Sequence, residues 1–414
     1  MNFINDKYIN IPHYILNKLV YDTPIIKTPY NTLKTIYADY TASGRPSPII
    51  DNYLKKYIYP YYSNTHSNAY HGIYMKNKIK QIKKYLRTLL NINNDYIILF
   101  PGNGTTTAIN HLSNSIDYYK YDKVVIFLTL YEHYSNFLPW LKKKEEIMQS
   151  KKSNNIIIEY ISLINDSPLL NLNSFEKKLS NYYIDRYKYN TLVICSFIAC
   201  SNVTGMELPL DNIKSILNKY NNDSKFHKYF FVDFACSAPY VNIDCSKYDA
   251  IFFSPHKFIG GMSTPGILIG RKCLFMQSCP FVVGGGCVKN SFFENITYEN
   301  DIEIRESAGT PNIIGIIKLL KIFQIKTLFM NIINNNETIL NNILNSKINY
   351  LINKYNNFFI ILYPYTNKLP IISFSITNLH YNLVVKLFDD LFGIQTRGGI
   401  SCCGLLANYI KKKI

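Results

Sequence analysis

The chain has 414 residues, 47% hydrophobic and 15% aromatic, enough to bury a large core in a main domain with a smaller companion. Its formal charge of +17 comes from lysines scattered among asparagine, tyrosine and isoleucine, with no arginine-rich helix or aromatic RNA-binding motif, which argues against nucleic acid or membrane as partner. Nine irregularly spaced cysteines contain no Cys-x-x-Cys pair, which argues against a metal centre, and no basic apolar leader or long apolar span is visible, so a soluble cytoplasmic protein with reduced thiols is expected.

Residues 1–35 read as an amino-terminal segment. From about Tyr37 to Gly270, short apolar runs alternate with longer amphipathic ones, the pattern of an α/β fold with a mostly parallel central sheet covered by helices. The expected strands are Ile97–Phe100, Val124–Leu128, Ile156–Ile161, Leu192–Ser196, Tyr229–Val232, Ala250–Ser254 and Ile267–Ile269. Helices are expected over Tyr74–Asn91, Thr105–Asp117, Phe175–Tyr183 and Leu210–Tyr220. A packed helix follows from Ile313 to Ile333, with Asn334-Asn335-Asn336 as its interruption. Beyond it, Phe358–Tyr363 and Ile371–Ile376 suggest a small mixed domain, giving a large domain over 36–310 and a small one over 311–414.

Chemistry concentrates where strands end. Lys257, in Ser254-Pro255-His256-Lys257, follows one core strand, and Asp233 ends a neighbouring one. That pairing fits pyridoxal phosphate: the amine binds the aldehyde and the carboxylate keeps the pyridine nitrogen protonated. Gly102-Asn103-Gly104-Thr105-Thr106 joins a strand to a helix start, where free amides and hydroxyls suit a phosphate, and Ser254 and His256 could close the same anion from the far side. His133 follows the second strand, at the edge where open α/β sheets bind ligands, and could stack on the ring and move protons. Asn202 follows the Leu192–Ser196 strand and could donate to the cofactor's phenolic oxygen.

In order, these segments resemble the class V aminotransferase superfamily of fold type I pyridoxal-phosphate enzymes, in its cysteine desulfurase-like branch. The likeness runs from about residue 36 to 405. It is carried by Tyr37-Ala38-Asp39-Tyr40-Thr41-Ala42-Ser43-Gly44-Arg45, Asn64-Thr65-His66-Ser67, Gly102 to Thr106, Glu132-His133 and Ser201-Asn202-Val203-Thr204-Gly205, and further on by Val232-Asp233, Ser254 to Lys257, Gly309-Thr310-Pro311-Asn312 and Arg397-Gly398-Gly399-Ile400-Ser401-Cys402.

The resemblance implies that Lys257 is the Schiff-base lysine, Asp233 the partner of the pyridine nitrogen and His133 the residue on the ring. Gly104, Thr105, Ser254 and His256 would bind phosphate, and Asn202 would approach the ring oxygen. Thr310 would reach the phosphate of an opposite subunit, so a homodimer with shared sites is implied. Cys402 would accept sulfur from L-cysteine as a persulfide, with alanine as co-product, and a sulfur-acceptor protein is a further implied partner. Arg397 or Arg45 would hold the substrate carboxylate, with Asn64 and His66 nearby. Two departures stand out: Cys236 occupies the place of a glutamine beside the ring oxygen, and the carboxyl-terminal domain is shortened relative to the family. Transamination, epimerisation or elimination on another amino acid, and a catalytically impaired relative, are the alternatives.

Overall fold

Alternation within the apolar runs decides the architecture. In Lys123–Thr129, Val124, Ile126 and Leu128 face one buried cluster, while Val125 and Phe127 face another, so the strand has a core on both sides. The computed structural model describes residues 18–150, 155–164, 167–293, 295–355, 359–361 and 369–411. Within them, one sheet holds seven strands: β1 (Tyr96–Leu99), β2 (Lys123–Thr129), β3 (Asn155–Ile161), β4 (Thr191–Ile198), β5 (Phe226–Asp233), β6 (Ala250–Phe253) and β7 (Ile267–Arg271). All seven expected strands are present, shifted by a few residues at their ends. Every residue of β1, β2, β4 and β6 is buried.

The order across the sheet is β1-β7-β6-β5-β4-β2-β3, with β7 antiparallel to both neighbours and every other pair parallel. As a result β1, β2, β4, β5 and β6 all end at one edge. Helices α1 (Pro48–Tyr57), α2 (Tyr70–Leu89), α3 (Gly104–Ser115), α4 (Tyr134–Gln149), α5 (Leu172–Asp185) and α6 (Leu210–Asn218) cover the two faces. Helices α1 and α4 were not among those expected, and Pro139 lies inside α4, where it is buried.

Helix α7 (Ile313–Lys354) runs unbroken through Asn334-Asn335-Asn336, so the expected interruption is absent. Asparagine costs a helix only a fraction of a kcal/mol relative to alanine. The burial of Ile313, Ile316, Ile317, Leu319, Ile322 and Phe323 in the main core outweighs that cost. Beyond α7, Phe359–Ile361 pairs antiparallel with Phe374–Ile376. Residues 358 and 362–363, expected to extend the first of these strands, lie outside the described residues.

Helix α8 (Tyr381–Phe392) then leads to Ile394–Gln395, and α9 (Gly404–Lys411) ends the described chain. Ile394–Gln395 pairs in parallel with Ile36–Tyr37, and the Ala38 amide extends the ladder by donating to the Gln395 carbonyl at 3.0 Å. Among the described residues, no helix is long and apolar enough to cross a membrane.

Candidate active site

The strand ends open onto one cavity of 780 Å³. Helix α3 starts at its floor. Gly104 has φ +62, and a Cβ there would lie 2.8 Å from the Ser254 hydroxyl. The absent side chain lets the first turn of α3 close on the loop after β6: the Thr105 amide donates to Ser254 Oγ at 2.8 Å, and the two hydroxyls are 2.6 Å apart. Thr106 shares a second hydroxyl pair with Ser135 of α4, also at 2.6 Å. Two helix starts and a ring of hydroxyls thus meet beside His256, whose imidazole burial and Lys257 hold below its ordinary pKa.

Asp233 closes β5 with its carboxylate buried. It accepts a 2.8 Å bond from the Ala235 amide, and burial raises its pKa to about 6 against the pull of Lys257. Lys257 sits in the tight turn after β6, its amide bonded to the Ser254 carbonyl at 3.0 Å, and its side chain lines the cavity. Among the described residues its ammonium has neither an ion pair nor a hydrogen bond. A buried acid with oxygen capacity to spare and an unpaired amine therefore face the same space.

His133 caps α4, its Nδ1 accepting from the Ser135 amide at 3.1 Å, which leaves Nε2 to carry the proton. Burial first, then Lys257 and Arg397, lower its pKa to about 4, so the ring is neutral near pH 7. Glu132 beneath it is fully buried, and burial raises its pKa to about 8. Its carboxyl accepts from Thr129 Oγ1 at 2.7 Å, Asn136 Nδ2 at 2.6 Å and the Ile198 amide at 3.1 Å. This satisfied network fixes the start of α4 and the end of β4 together.

Asn202 donates from Nδ2 to the Ser401 carbonyl at 2.8 Å, and its Oδ1 is buried without a partner. Part of the amide expected to serve a ring oxygen is thus engaged in holding the Cys402 loop. That loop puts Ser401 at φ 48 and Cys402 at φ 58, and the Cys402 carbonyl accepts from the Tyr134 amide at 2.8 Å. Cys402 is half-exposed in the cavity. Cys403 is buried, directs its thiol at the Tyr131 carbonyl at 3.4 Å, and has its pKa pushed up to about 12 by burial. Arg397, two residues past Ile394–Gln395, also lines the cavity.

Four expected site residues lie elsewhere in this subunit. Arg45 does not reach the cavity: its guanidinium stands 5.8 Å over the Tyr37 ring and donates to the Asp22 carbonyl at 3.3 Å. Asn64 and Thr310 form their own exposed pair, with Asn64 Nδ2 donating to Thr310 Oγ1 at 3.2 Å. His66 is next to them, its amide bonded to Asn64 Oδ1 at 2.9 Å and its ring against Gly286.

Asp39 lines the cavity although no role was expected of it. Burial raises its pKa, while Arg397 and Lys257 pull the other way. Its signal in the sequence was its place in the first motif, two residues past the strand that receives Ile394–Gln395.

A mostly parallel sheet with a strand-end lysine, a neighbouring buried aspartate and a helix-start anion cradle defines an α/β fold of the type I pyridoxal-phosphate class. The Aminotransferase class-V family model matches residues 36–413, and the chain belongs to that family. It is 29% identical over 412 residues to a protein of Wigglesworthia glossinidia brevipalpis named cysteine desulfurase, covering 96% of this chain and 91% of that one. It is 28% identical over 394 residues to a probable cysteine desulfurase of Borreliella burgdorferi, covering 92% and 85%. Among solved structures, the apo cysteine desulfurase of Thermococcus onnurineus superposes with TM-score 0.74 at 20% identity, over 91% of this chain and 87% of that one. The Escherichia coli desulfurase CsdA follows with TM-score 0.69 at 20% identity and the same coverage.

Proposed function

We propose that this protein is a pyridoxal-phosphate-dependent cysteine desulfurase that converts L-cysteine to L-alanine and carries the sulfur on Cys402. The observation that carries this reading is the single cavity joining unpaired Lys257, buried Asp233 and half-exposed Cys402. The names of the relatives support it.

The residues fit the cofactor: the start of α3 with Ser254 and His256 would take its phosphate, Asp233 its ring nitrogen, and Lys257 its aldehyde carbon. When bound, the cofactor supplies an electron sink for electrons leaving the substrate's α-carbon. Arg397 offers its guanidinium to the substrate carboxylate. Lys257 would move the α-proton, with neutral His133 as the second base. The Cys402 thiolate attacks the substrate sulfur, the carbon–sulfur bond breaks, and Cys402 keeps a persulfide while the carbon fragment is protonated and leaves as alanine.

The exposed cluster of Asn64, His66 and Thr310 suits a homodimer in which each subunit completes the other's site. A sulfur-acceptor protein would then collect sulfur from the Cys402 loop.

Absorbance and product assays test the reading. Holoenzyme should show a visible band that Lys257→Ala abolishes, and Cys402→Ser should keep the band while losing about a hundredfold or more of sulfur transfer. A wild type without the band after cofactor addition, or equal sulfur transfer by Cys402→Ser, would overturn it.

A further inference from the structure

Cys200 and Cys236 form a thiol pair that the reaction above leaves unused. Strands β4 and β5 run in parallel as far as Ile198 opposite Asp233, and the Ala199 amide bonds to the Asp233 carbonyl at 2.8 Å. Just beyond, Cys200 and Cys236 pack into a small cluster of their own with Leu369, against Tyr240 and Ile371. Each side chain acts on the other's titration within that cluster. Where the resembled family places a glutamine, this chain thus has one half of a dithiol.

The two thiols differ in the way an attacking and a resolving cysteine differ. Cys236 is pulled below its ordinary pKa by Cys200 and then by the charge of Lys257, against burial. Cys200 is raised well above its ordinary value by burial, and the Gly205 carbonyl lies 3.1 Å from its sulfur as an acceptor. Cys236 lines the cavity together with Lys257 and Cys402. Asn202, two residues after Cys200, holds the loop of Cys402 through Ser401. Cys236 and the persulfide-bearing loop therefore line one cavity, with Cys200 packed beside Cys236 in their shared cluster.

We propose that Cys236 and Cys200 form a discharging dithiol that takes sulfane sulfur from Cys402 and frees it as hydrogen sulfide. This rests on the Cys402 persulfide of the proposed function. In the first step the Cys236 thiolate attacks the outer sulfur of the persulfide; a sulfur–sulfur bond forms on Cys236, the one on Cys402 breaks, and Cys402 leaves as thiolate. In the second, the Cys200 sulfur attacks the inner sulfur of Cys236, and the outer sulfur leaves as hydrosulfide and takes up the proton that Cys200 gives up. Two thiols are oxidised to one disulfide by two electrons, and the sulfane sulfur is reduced to sulfide. Closing the pair brings the two sulfurs to about 2.05 Å within the cluster they share with Leu369. Each subunit discharges once when no acceptor collects its sulfur, and an external dithiol reductant reopens the pair.

The test uses holoenzyme freed of reductant and mixed with L-cysteine, with alanine, free sulfide, thiols titrated after denaturation, and intact mass all measured. Wild type should release about one sulfide per subunit in a burst, lose two thiols and yield a peptide joining Cys200 to Cys236. Cys200→Ser and Cys236→Ser should release about tenfold less and remain heavier by one sulfur atom. A second arm needs no turnover: Cys402→Ser protein treated with inorganic polysulfide should form the same linked peptide. Alanine formation with Cys200 and Cys236 both still free thiols, or polysulfide-treated protein with the same two free, overturns the proposal alone. Absence of alanine from wild type overturns the desulfurase reading and this proposal with it.

Discussion

His133 and Lys257 face one cavity, and their proximity sets a proton inventory that stability measurements can read. The folded pKa of His133 is lowered from 6.5 to about 4, chiefly by burial. Its share of stability is therefore complete above 6.5 and lost as pH falls through about 4, because the unfolded chain takes up a proton that the folded chain refuses. His133→Asn keeps an acceptor for the Ser135 amide and removes the titration. Urea midpoints at pH 7 and 4.5 should show wild type losing about 2–3 kcal/mol relative to that variant. An equal loss in both would place the titrating group elsewhere.

Residues directly beyond strands were legible in the sequence. Gly104, His133, Asp233, Ser254 and Lys257 each lie at or just past a strand end, so finding the strands placed them at one edge. Of the two arginines expected for the substrate carboxylate, only Arg397 lines the cavity, because a guanidinium has no local signal that separates a substrate contact from stacking on a nearby tyrosine. The hydrogen bond from Asn202 to Ser401 joins residues 199 positions apart, a separation no local pattern reports.

At the scale of elements, buried strands declared themselves and helices less so. Helix α4, absent from the expected helices, contains Pro139, which it tolerates on a buried face. The opposite error occurred in α7, where three asparagines looked like a stop. Asn334, Asn335 and Asn336 are exposed, and the helix is held by packing of its first half against α1, α2 and the main core. Replacing all three by alanine should stabilise the protein by about 1–2 kcal/mol and raise its thermal midpoint by a few degrees. A lowered midpoint would mean that the asparagines make contacts of their own.

For the whole molecule, the exposed apolar surface is the feature a lone subunit does not explain. The hairpin Val288–Phe292 and Asn295–Tyr298 carries Phe292 at 72% and Phe293 at 90% exposure, and Val283 before it stands at 60%. A Cβ at Gly286 of the same stretch would fall 2.9 Å from the His66 ring, and the His66 amide bonds to Asn64, so the apolar surface adjoins the polar cluster proposed for a shared site. The homodimer proposed above predicts that Phe292→Asp with Phe293→Asp gives a monomer by light scattering and lowers activity at least about tenfold while leaving the far-ultraviolet spectrum unchanged. A wild type that is monomeric at micromolar concentration would count against shared sites.

The pairing of Ile36–Tyr37 with Ile394–Gln395 governs when the enzyme becomes an enzyme. Beside it, Thr28 Oγ1 donates to the Asp390 carbonyl at 2.8 Å, across 362 residues of sequence. The stretch that follows is clamped to the lysine turn, since the Gly44 amide bonds to the His256 carbonyl at 2.9 Å and a Cβ at Gly44 would fall 2.0 Å from the Phe258 carbonyl. Ile36–Tyr37 must therefore wait for the much later Ile394–Gln395 before Arg397 and Cys402 can join Lys257. Closing so long a loop is slow compared with forming the sheet between β1 and β7. Refolding followed by both far-ultraviolet signal and cofactor absorbance should show the visible band returning well after the secondary structure, and a ribosome-bound chain should hold its cofactor loosely until Ile394–Gln395 and Cys402 emerge.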